Sequence, residues 1–145
     1  MNIDDPIIAA IQAHRRACAE THAAYERQSV IEDELGAGAR VPAGEAEDDP
    51  QWISANDAAR EAMAMQDELA VKLLKTQPTT IAGAAALLTY YADVLTTDQT
   101  EVVFPELDVN GRIVETKSIC EPKRDFGYFI IRNVATALNR IAGAK

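Results

Sequence analysis

The sequence predicts an all-α fold, in which a long helical hairpin and two shorter helices form a bundle. Of the 145 residues, 26 are alanine, and the hydrophobic fraction is 48%. Long stretches contain neither proline nor glycine, and their apolar residues recur at helical spacing. A chain of this length is expected to form a single domain, spanning residues 1–145.

The first predicted helix extends from Pro6 to Leu35. Asp4 or Asp5 can cap its start, and Pro6 suits the first helical position because no amide hydrogen is needed there. Up to Leu35 the helix formers Ala, Glu, Arg and Gln dominate. Residues 36–50 are rich in glycine, proline and acids, which predicts a flexible acidic connector.

The second predicted helix begins at a Ser54 cap, which Asp57 completes as a capping box. It continues to about Thr76, because Pro78 prevents its extension. Trp52 lies just before the cap, and we expect it to pack beneath the first turn. The alternative is that Trp52 anchors a binding partner.

Two shorter helices are predicted in the second half of the chain. The third spans about residues 80–96 and has no charge before Asp93, so we expect it in the centre of the bundle. The fourth begins near residues 123–125 and ends at about Ile141. Between them, Asn110-Gly111 predicts a small β-hairpin near residues 102–116 with a type I′ turn, and an irregular loop is the alternative.

One face of the first helix predicts an oligomer interface. Its centre line repeats every seven residues, and it is apolar at the ends but polar in three middle layers. Small residues beside these layers allow close packing on another helix, and the polar layers would set its register. The predicted interface residues are Ile7, Ala10, His14, Ala17, Thr21, Gln28 and Leu35.

The length of the first helix supports the same prediction, because its far end extends past the two shorter helices and needs a partner. We therefore expect a homo-oligomer, with a dimer favoured and the first helices antiparallel; another protein is the alternative partner. Two other interpretations of this face remain open. Its middle could be half exposed, or His14, Thr21 and Gln28 could line a ligand site.

A second stripe on the first helix consists of His14, Cys18, His22 and Glu26, one turn apart from each other. The candidate metal ligands are His14, Cys18 and His22, because imidazole and thiolate bind zinc. A straight stripe offers only two ligands to one ion, so the others would come from a second copy or another helix. We therefore expect no metal and no cofactor, with Cys18 packed as a small core residue. A His14–Cys18 nucleophile pair would lack an orienting carboxylate.

Acidic residues raise the alternative of an all-α nucleotide pyrophosphohydrolase, in which carboxylates from adjacent helices hold Mg²⁺. The candidates are residues 32–34, the pair Glu45 and Asp48, and residues 67–68. The connector around Glu45 cannot present its carboxylates rigidly, and a solvated acidic rim accounts for the others. The sequence also contains neither a phosphate-binding glycine-rich loop nor a Gly-x-Ser-x-Gly elbow. An enzyme is therefore not expected.

Charge and hydropathy exclude two kinds of partner. The net charge of −9 argues against nucleic acid, which requires clustered Lys and Arg. No apolar run is long enough to cross a membrane, and the amino-terminal residues lack the pattern of a secretory signal. Two cysteines do not make a disulfide framework. We expect a cytoplasmic protein.

Two segments resemble a known group of proteins. The first is Asp5-Pro6-Ile7-Ile8-x-Ala10-Ile11-x-x-His14-Arg15. The second is Gln77-Pro78-Thr79-Thr80-Ile81-Ala82-Gly83-x-Ala85-x-Leu87-Leu88-x-Tyr90. Followed by a carboxy-terminal amphipathic helix, they resemble small uncharacterised helical proteins of alphaproteobacteria, some from prophage-like regions. The resemblance implies a helical protein but no activity. The predicted function is a non-catalytic interaction or assembly protein, and the alternative is the metal-dependent hydrolase or metal-binding protein.

Overall fold

The all-α bundle is confirmed by a computed structural model, which describes residues 4–36, 49–96, 104–114 and 123–144. The helices are α1 (Pro6–Leu35), α2 (Pro50–Lys75), α3 (Ile81–Thr96) and α4 (Phe126–Gly143). Two short strands, β1 (Leu107–Asp108) and β2 (Lys123–Arg124), pair antiparallel. The predicted connector lies largely outside the described residues. Within the described ranges, no helix is long and apolar enough for a membrane span.

Helices α1 and α2 form an antiparallel hairpin. Gln28 in the second half of α1 donates to Asn56 in the first half of α2, with 3.2 Å between Nε2 and Oδ1. Nearer the end of α1, Glu32 accepts a hydrogen bond from the Trp52 indole at 2.7 Å. Trp52 is buried in this contact. The predicted position of Trp52 beneath a Ser54 cap is wrong, because Trp52 lies inside α2 and packs against α1. Close approach is possible because α1 turns Ala10, Ala17 and Ala24 inward.

The shorter helices pack beside one half of this hairpin. α3 runs parallel to α1, and α4 returns antiparallel to α3. Asn133 of α4 donates to the carbonyls of Leu73 and Thr76, and Arg140 donates to that of Pro78. These bonds satisfy carbonyl groups at the end of α2 that have no partner within the helix. The shared core includes Ile7, Ile11, Leu73, Leu87, Leu107, Ile130 and Val134.

The predicted start of α2 is wrong by five residues. The helix begins at Pro50, and its cap is Asp49, whose carboxylate accepts from the Gln51 amide at 2.8 Å. Ser54 and Asp57 are therefore inside the helix. Asp49-Pro50 is the same pair as Asp5-Pro6 at the start of α1, and an aspartate cap before a first-position proline starts a helix at least as well as serine.

The predicted central position of α3 is also wrong. One face of α3 is buried through Ala84, Leu87 and Tyr90, but Ile81 and Leu88 on the other side are 67% and 41% exposed. Helix α3 lies in an outer layer because α1 and α4 cover only part of its circumference. Its lack of charge therefore leaves an apolar surface in solvent.

The predicted hairpin is present with a different turn. Leu107 bridges to Ile113, and the Val114 amide donates to the Glu106 carbonyl. Of the turn residues, only Gly111 has a positive φ, at 78°, whereas a type I′ turn needs positive φ at Asn110 as well. The Asp108 carboxylate accepts from the amides of Asn110 and Arg112, which favours a three-residue loop closed by the glycine.

Candidate functional site

His14 is the centre of a buried polar and aromatic cluster. Its side chain has no exposed surface, and its Nδ1 lies 2.7 Å from the hydroxyl of Tyr90 on α3. The Cys18 Sγ lies 3.6 Å from the other ring nitrogen. Phe104 stacks on the imidazole at 5.3 Å between centroids, and on its other side against Phe126 at 4.3 Å. The cluster thus joins α1, α3, α4 and the segment before β1.

The electrostatics of the cluster define its hydrogen bonds. Burial, together with the nearby Cys18, raises the pKa of Tyr90 well above its ordinary value, despite an opposing contribution from Arg15. The Arg15 guanidinium lies over the Tyr90 ring at 5.2 Å. Tyr90 therefore stays protonated, and its hydroxyl is the hydrogen-bond partner of His14 Nδ1. The other ring nitrogen of His14 faces the Cys18 sulfur.

The structure separates the three candidate metal ligands. His14 and Cys18 lie together in the core, whereas His22 is on the outer surface, where its Nε2 is 3.1 Å from the Glu26 carboxylate. Within the described ranges, no group of three or more His, Cys, Asp or Glu side chains is placed to hold a metal ion. The arrangement brings two candidate ligands to one point.

Asp5 belongs to a second buried polar site, where α1 and α3 begin. One carboxylate oxygen caps α1 by accepting from the Ile7 amide at 3.2 Å. The other accepts from the amides of Thr79 and Thr80, at 3.0 and 2.9 Å, and from the Thr80 hydroxyl at 2.7 Å. The same hydroxyl accepts from the Gly83 amide at 2.9 Å. We call Asp5, Thr79, Thr80 and Gly83 the Asp5 latch.

The Asp5 latch holds a charged carboxylate in the interior. Burial disfavours this charge, but the Thr80 hydroxyl and three backbone amides outweigh burial and lower the pKa of Asp5. Gly83 lies so close that a β-carbon on it would overlap the carboxylate. The Asp5 latch thus joins the start of α1 to the turn before α3.

The two ends of this latch have local signals in the sequence, but the contact between them has none. Asp5 is recognisable as a cap of α1, and Pro78-Thr79-Thr80 as the end of one helix and the cap of the next. Gly83, three residues into a helix where alanine would be a better helix former, predicts close approach of a neighbour but does not identify that neighbour as Asp5. A glycine at such a place indicates close approach by another group. Tyr90 and Phe104, the partners of His14, were also missed.

The predicted interface residues of α1 pack within the chain. Ile7, Ala10, His14, Ala17 and Thr21 are buried, while Gln28 and Leu35 are half-buried. Their polar members also have intramolecular partners: His14 contacts Tyr90, Thr21 donates to the Ala17 carbonyl, and Gln28 donates to Asn56. An oligomer interface along this line stays a prediction, and it would require these contacts to open.

The acidic candidates are dispersed. Glu32 accepts from Trp52 at the end of the hairpin, and Asp67 on α2 is half-buried, where burial raises the pKa of its carboxyl. Glu45 and Asp48 are outside the described residues. The described candidates therefore lie at separate places along the hairpin.

Compared with protein-family models, with curated proteins and with solved structures, the chain has no significant match. The resemblance to alphaproteobacterial proteins stays a prediction. The function must therefore be argued from the fold and the site geometry.

Proposed function

We propose that the protein is a non-catalytic helical interaction protein, which acts in the cytoplasm as a homo-oligomer, with a dimer favoured. The observation that carries this proposal is the division between interior and surface. The buried polar side chains hold the helices together, and large apolar side chains on α3 and α4 lie exposed. The cytoplasmic assignment is supported by Cys18, a thiol in the core that suits a reducing compartment.

The His14 cluster supports a structural role rather than catalysis. His14, Cys18 and Tyr90 are at most 3% exposed, so a substrate in solvent does not reach them in this conformation. Every described buried side-chain nitrogen or oxygen has a hydrogen-bond partner. A catalytic group must contact its substrate, whereas these groups contact one another.

Sedimentation velocity at micromolar concentrations tests the proposal. We expect a sedimentation coefficient that rises with concentration towards that of a dimer. A monomer throughout the micromolar range would contradict homo-oligomerisation.

The alternative function, a metal-dependent hydrolase or metal-binding protein, predicts a different result. It rests on His14 and Cys18 meeting at one point, with further ligands supplied from elsewhere. Binding to the folded state would raise the melting temperature with Mn²⁺, Mg²⁺ or Zn²⁺. If the proposed function is right, the melting temperature with each metal equals that with EDTA. The His14→Ala and Cys18→Ala variants then show no metal response to lose.

A further inference from the structure

Helix α4 carries a second apolar stripe, which faces away from the core. Its large members are Tyr128, Ile131 and Leu138, which are 40%, 61% and 39% exposed. Ala135 and Ala142 are also exposed and complete a spacing of three and four residues. This spacing is that of the contact positions of two packed helices. The buried side of α4 uses other residues, such as Ile130 and Val134.

Helix α3 carries a similar stripe on its outer side. Ile81, Ala85, Leu88 and Ala92 are exposed and follow the same three- and four-residue spacing, with Ile81 at 67% and Leu88 at 41%. The stripe contains no charged residue. Solvent exposure of large aliphatic side chains at this spacing on two neighbouring helices is typical of an interface.

The two stripes adjoin. Tyr91 of α3 approaches Gly127 of α4, so these residues mark the line where the helices meet. Leu88 is one turn before Tyr91, and Ile131 is one turn after Gly127. Residues one turn apart are neighbours on a helix surface, so Leu88 and Ile131 flank this line on the outer side. We call Ile81, Leu88, Tyr128, Ile131 and Leu138 the α3–α4 face.

The stripes are also centred at the same height. The contacts of Tyr91 with Gly127 and of Arg140 with Pro78 set the register of α3 against α4. In that register, the middle of the α3 stripe, between Ala85 and Leu88, lies within about two residues of the midpoint between Tyr128 and Leu138 on α4, which is roughly 3 Å at the helical rise. A single two-fold axis across both helices therefore relates each stripe to an antiparallel copy of itself.

We infer that the α3–α4 face binds a second copy of this chain, with α4 against α4 and α3 against α3, both antiparallel. In this arrangement, Ile131 lies opposite the small Ala135 of the other copy, and Tyr128 lies opposite its Leu138. A two-fold interface must be self-complementary, and a stripe with symmetric spacing meets this requirement. The inference rests on the proposed function and assigns the surface that carries it.

The charge distribution favours a second copy on this face. Helices α1 and α2 carry nine acids and six bases, whereas α3 and α4 carry one acid and two arginines. Two copies that meet through their α3–α4 faces keep their acidic hairpins on opposite outer sides. The α3–α4 faces therefore bring two helices of low charge together and keep the two acidic hairpins apart.

The area is sufficient for a weak specific dimer. With a rise of 1.5 Å per residue and about 10 Å between axes, the two helices present a face of roughly 24 by 20 Å. That face is about 500 Å² on each copy, or about 1,000 Å² for the pair, which is the lower limit for a specific interface. We therefore expect a dissociation constant in the micromolar range.

The test compares exposed apolar residues on and off the face. Ile131→Lys and Leu88→Lys each place a charge in the α3–α4 face, and Val30→Lys places the same charge on α1, where Val30 is 54% exposed. Lysine lowers the net negative charge, so weaker association cannot come from added overall repulsion. Sedimentation velocity gives the dimer dissociation constant, and thermal melting followed by circular dichroism shows that each variant is folded.

We expect Ile131→Lys and Leu88→Lys to raise the dissociation constant about tenfold or more, as loss of a central interface residue does, with Val30→Lys unchanged. A wild-type monomer would overturn the proposed function itself. If the wild-type protein is a dimer, and the folded Ile131→Lys and Leu88→Lys variants dimerise equally well, only the assignment of this surface is overturned. An equal loss of dimer affinity in the Val30→Lys variant would also overturn the assignment of the α3–α4 face.

Discussion

Asp5 connects the starts of two helices that are far apart in sequence. Its carboxylate accepts one hydrogen bond from the first turn of α1 and three from Thr79 and Thr80. A charged acceptor is stronger here than a neutral one, because all its partners are donors. The lowered pKa of Asp5 is the consequence.

Replacement of Asp5 by asparagine should change how stability depends on pH. A folded-state pKa below that of the unfolded chain means that the charged Asp5 stabilises the fold above about pH 4, and that this contribution disappears as the pH falls through the folded pKa. We expect Asp5→Asn to lower the free energy of unfolding by about 2 kcal/mol at neutral pH. Urea denaturation of both proteins should show this difference shrinking below pH 4, and a pH-independent difference would contradict it.

Gly83 is required by the space that Asp5 occupies. A β-carbon at this position would overlap the Asp5 carboxylate and press on Ile7. We expect Gly83→Ala to destabilise the protein by about 2 kcal/mol, despite the better helix propensity of alanine. Gly143→Ala is the matched control, since nothing lies within 4 Å of the added carbon. Equal stabilities of the two variants in urea denaturation would contradict the latch geometry.

At the scale of elements, helices α1 and α2 both begin with an aspartate cap followed by proline. We expect Asp49→Ala to lower the free energy of unfolding by about 1 kcal/mol, because the Gln51 amide loses its acceptor. Ser54→Ala should have almost no effect, since Ser54 is exposed inside the helix. If chemical denaturation shows a larger loss of stability for Ser54→Ala than for Asp49→Ala, Ser54 and not Asp49 is the cap of α2.

The helices themselves could be predicted from sequence because their signals are local. The proline at position 6 and the glycine after Leu35 mark α1 at both ends, and the structure has the same bounds. The start of α2 was missed because Asp49-Pro50 was assigned to the connector by its composition. The composition of the connector is that of a loop, but an aspartate followed directly by a proline is the order found at the start of a helix.

Contacts between helices could not be predicted from the same signals. The side chain of His14 on α1 was recognised as unusual, but periodicity on one helix does not identify Tyr90 on another as its partner. The prediction that α3 is central failed for a related reason. The lack of charge shows that α3 could be buried on all sides. Whether each face of α3 is covered depends on how many helices pack around it.

At the scale of the whole molecule, the bundle has two parts of different packing. The first half of α1 and the second half of α2 contact α3 and α4, through residues such as His14 and Leu73. The distal part, around Gln28 and Trp52, is held by contacts between α1 and α2. Regions with fewer packed neighbours open at lower free energy.

Hydrogen exchange should reveal these two parts. We expect amides of residues 10–21 and 66–74 to be protected more strongly than those of residues 26–34 and 52–60, by about tenfold or more, because a 1.4 kcal/mol difference in opening changes exchange tenfold. Exchange measured residue by residue by NMR would show the difference. Uniform protection along α1 would mean that the hairpin opens as one unit.

The Asp5 latch also has a consequence for the order of folding. Its donors are about 75 residues from Asp5 along the chain. Closing so long a loop costs more chain entropy than pairing the adjacent helices α1 and α2, so the hairpin is expected to form first and the latch to close afterwards. The amino-terminal turn of α1 then serves as a docking point for the carboxy-terminal half. During synthesis, Thr79 and Thr80 must therefore have left the ribosome before Asp5 can accept their hydrogen bonds.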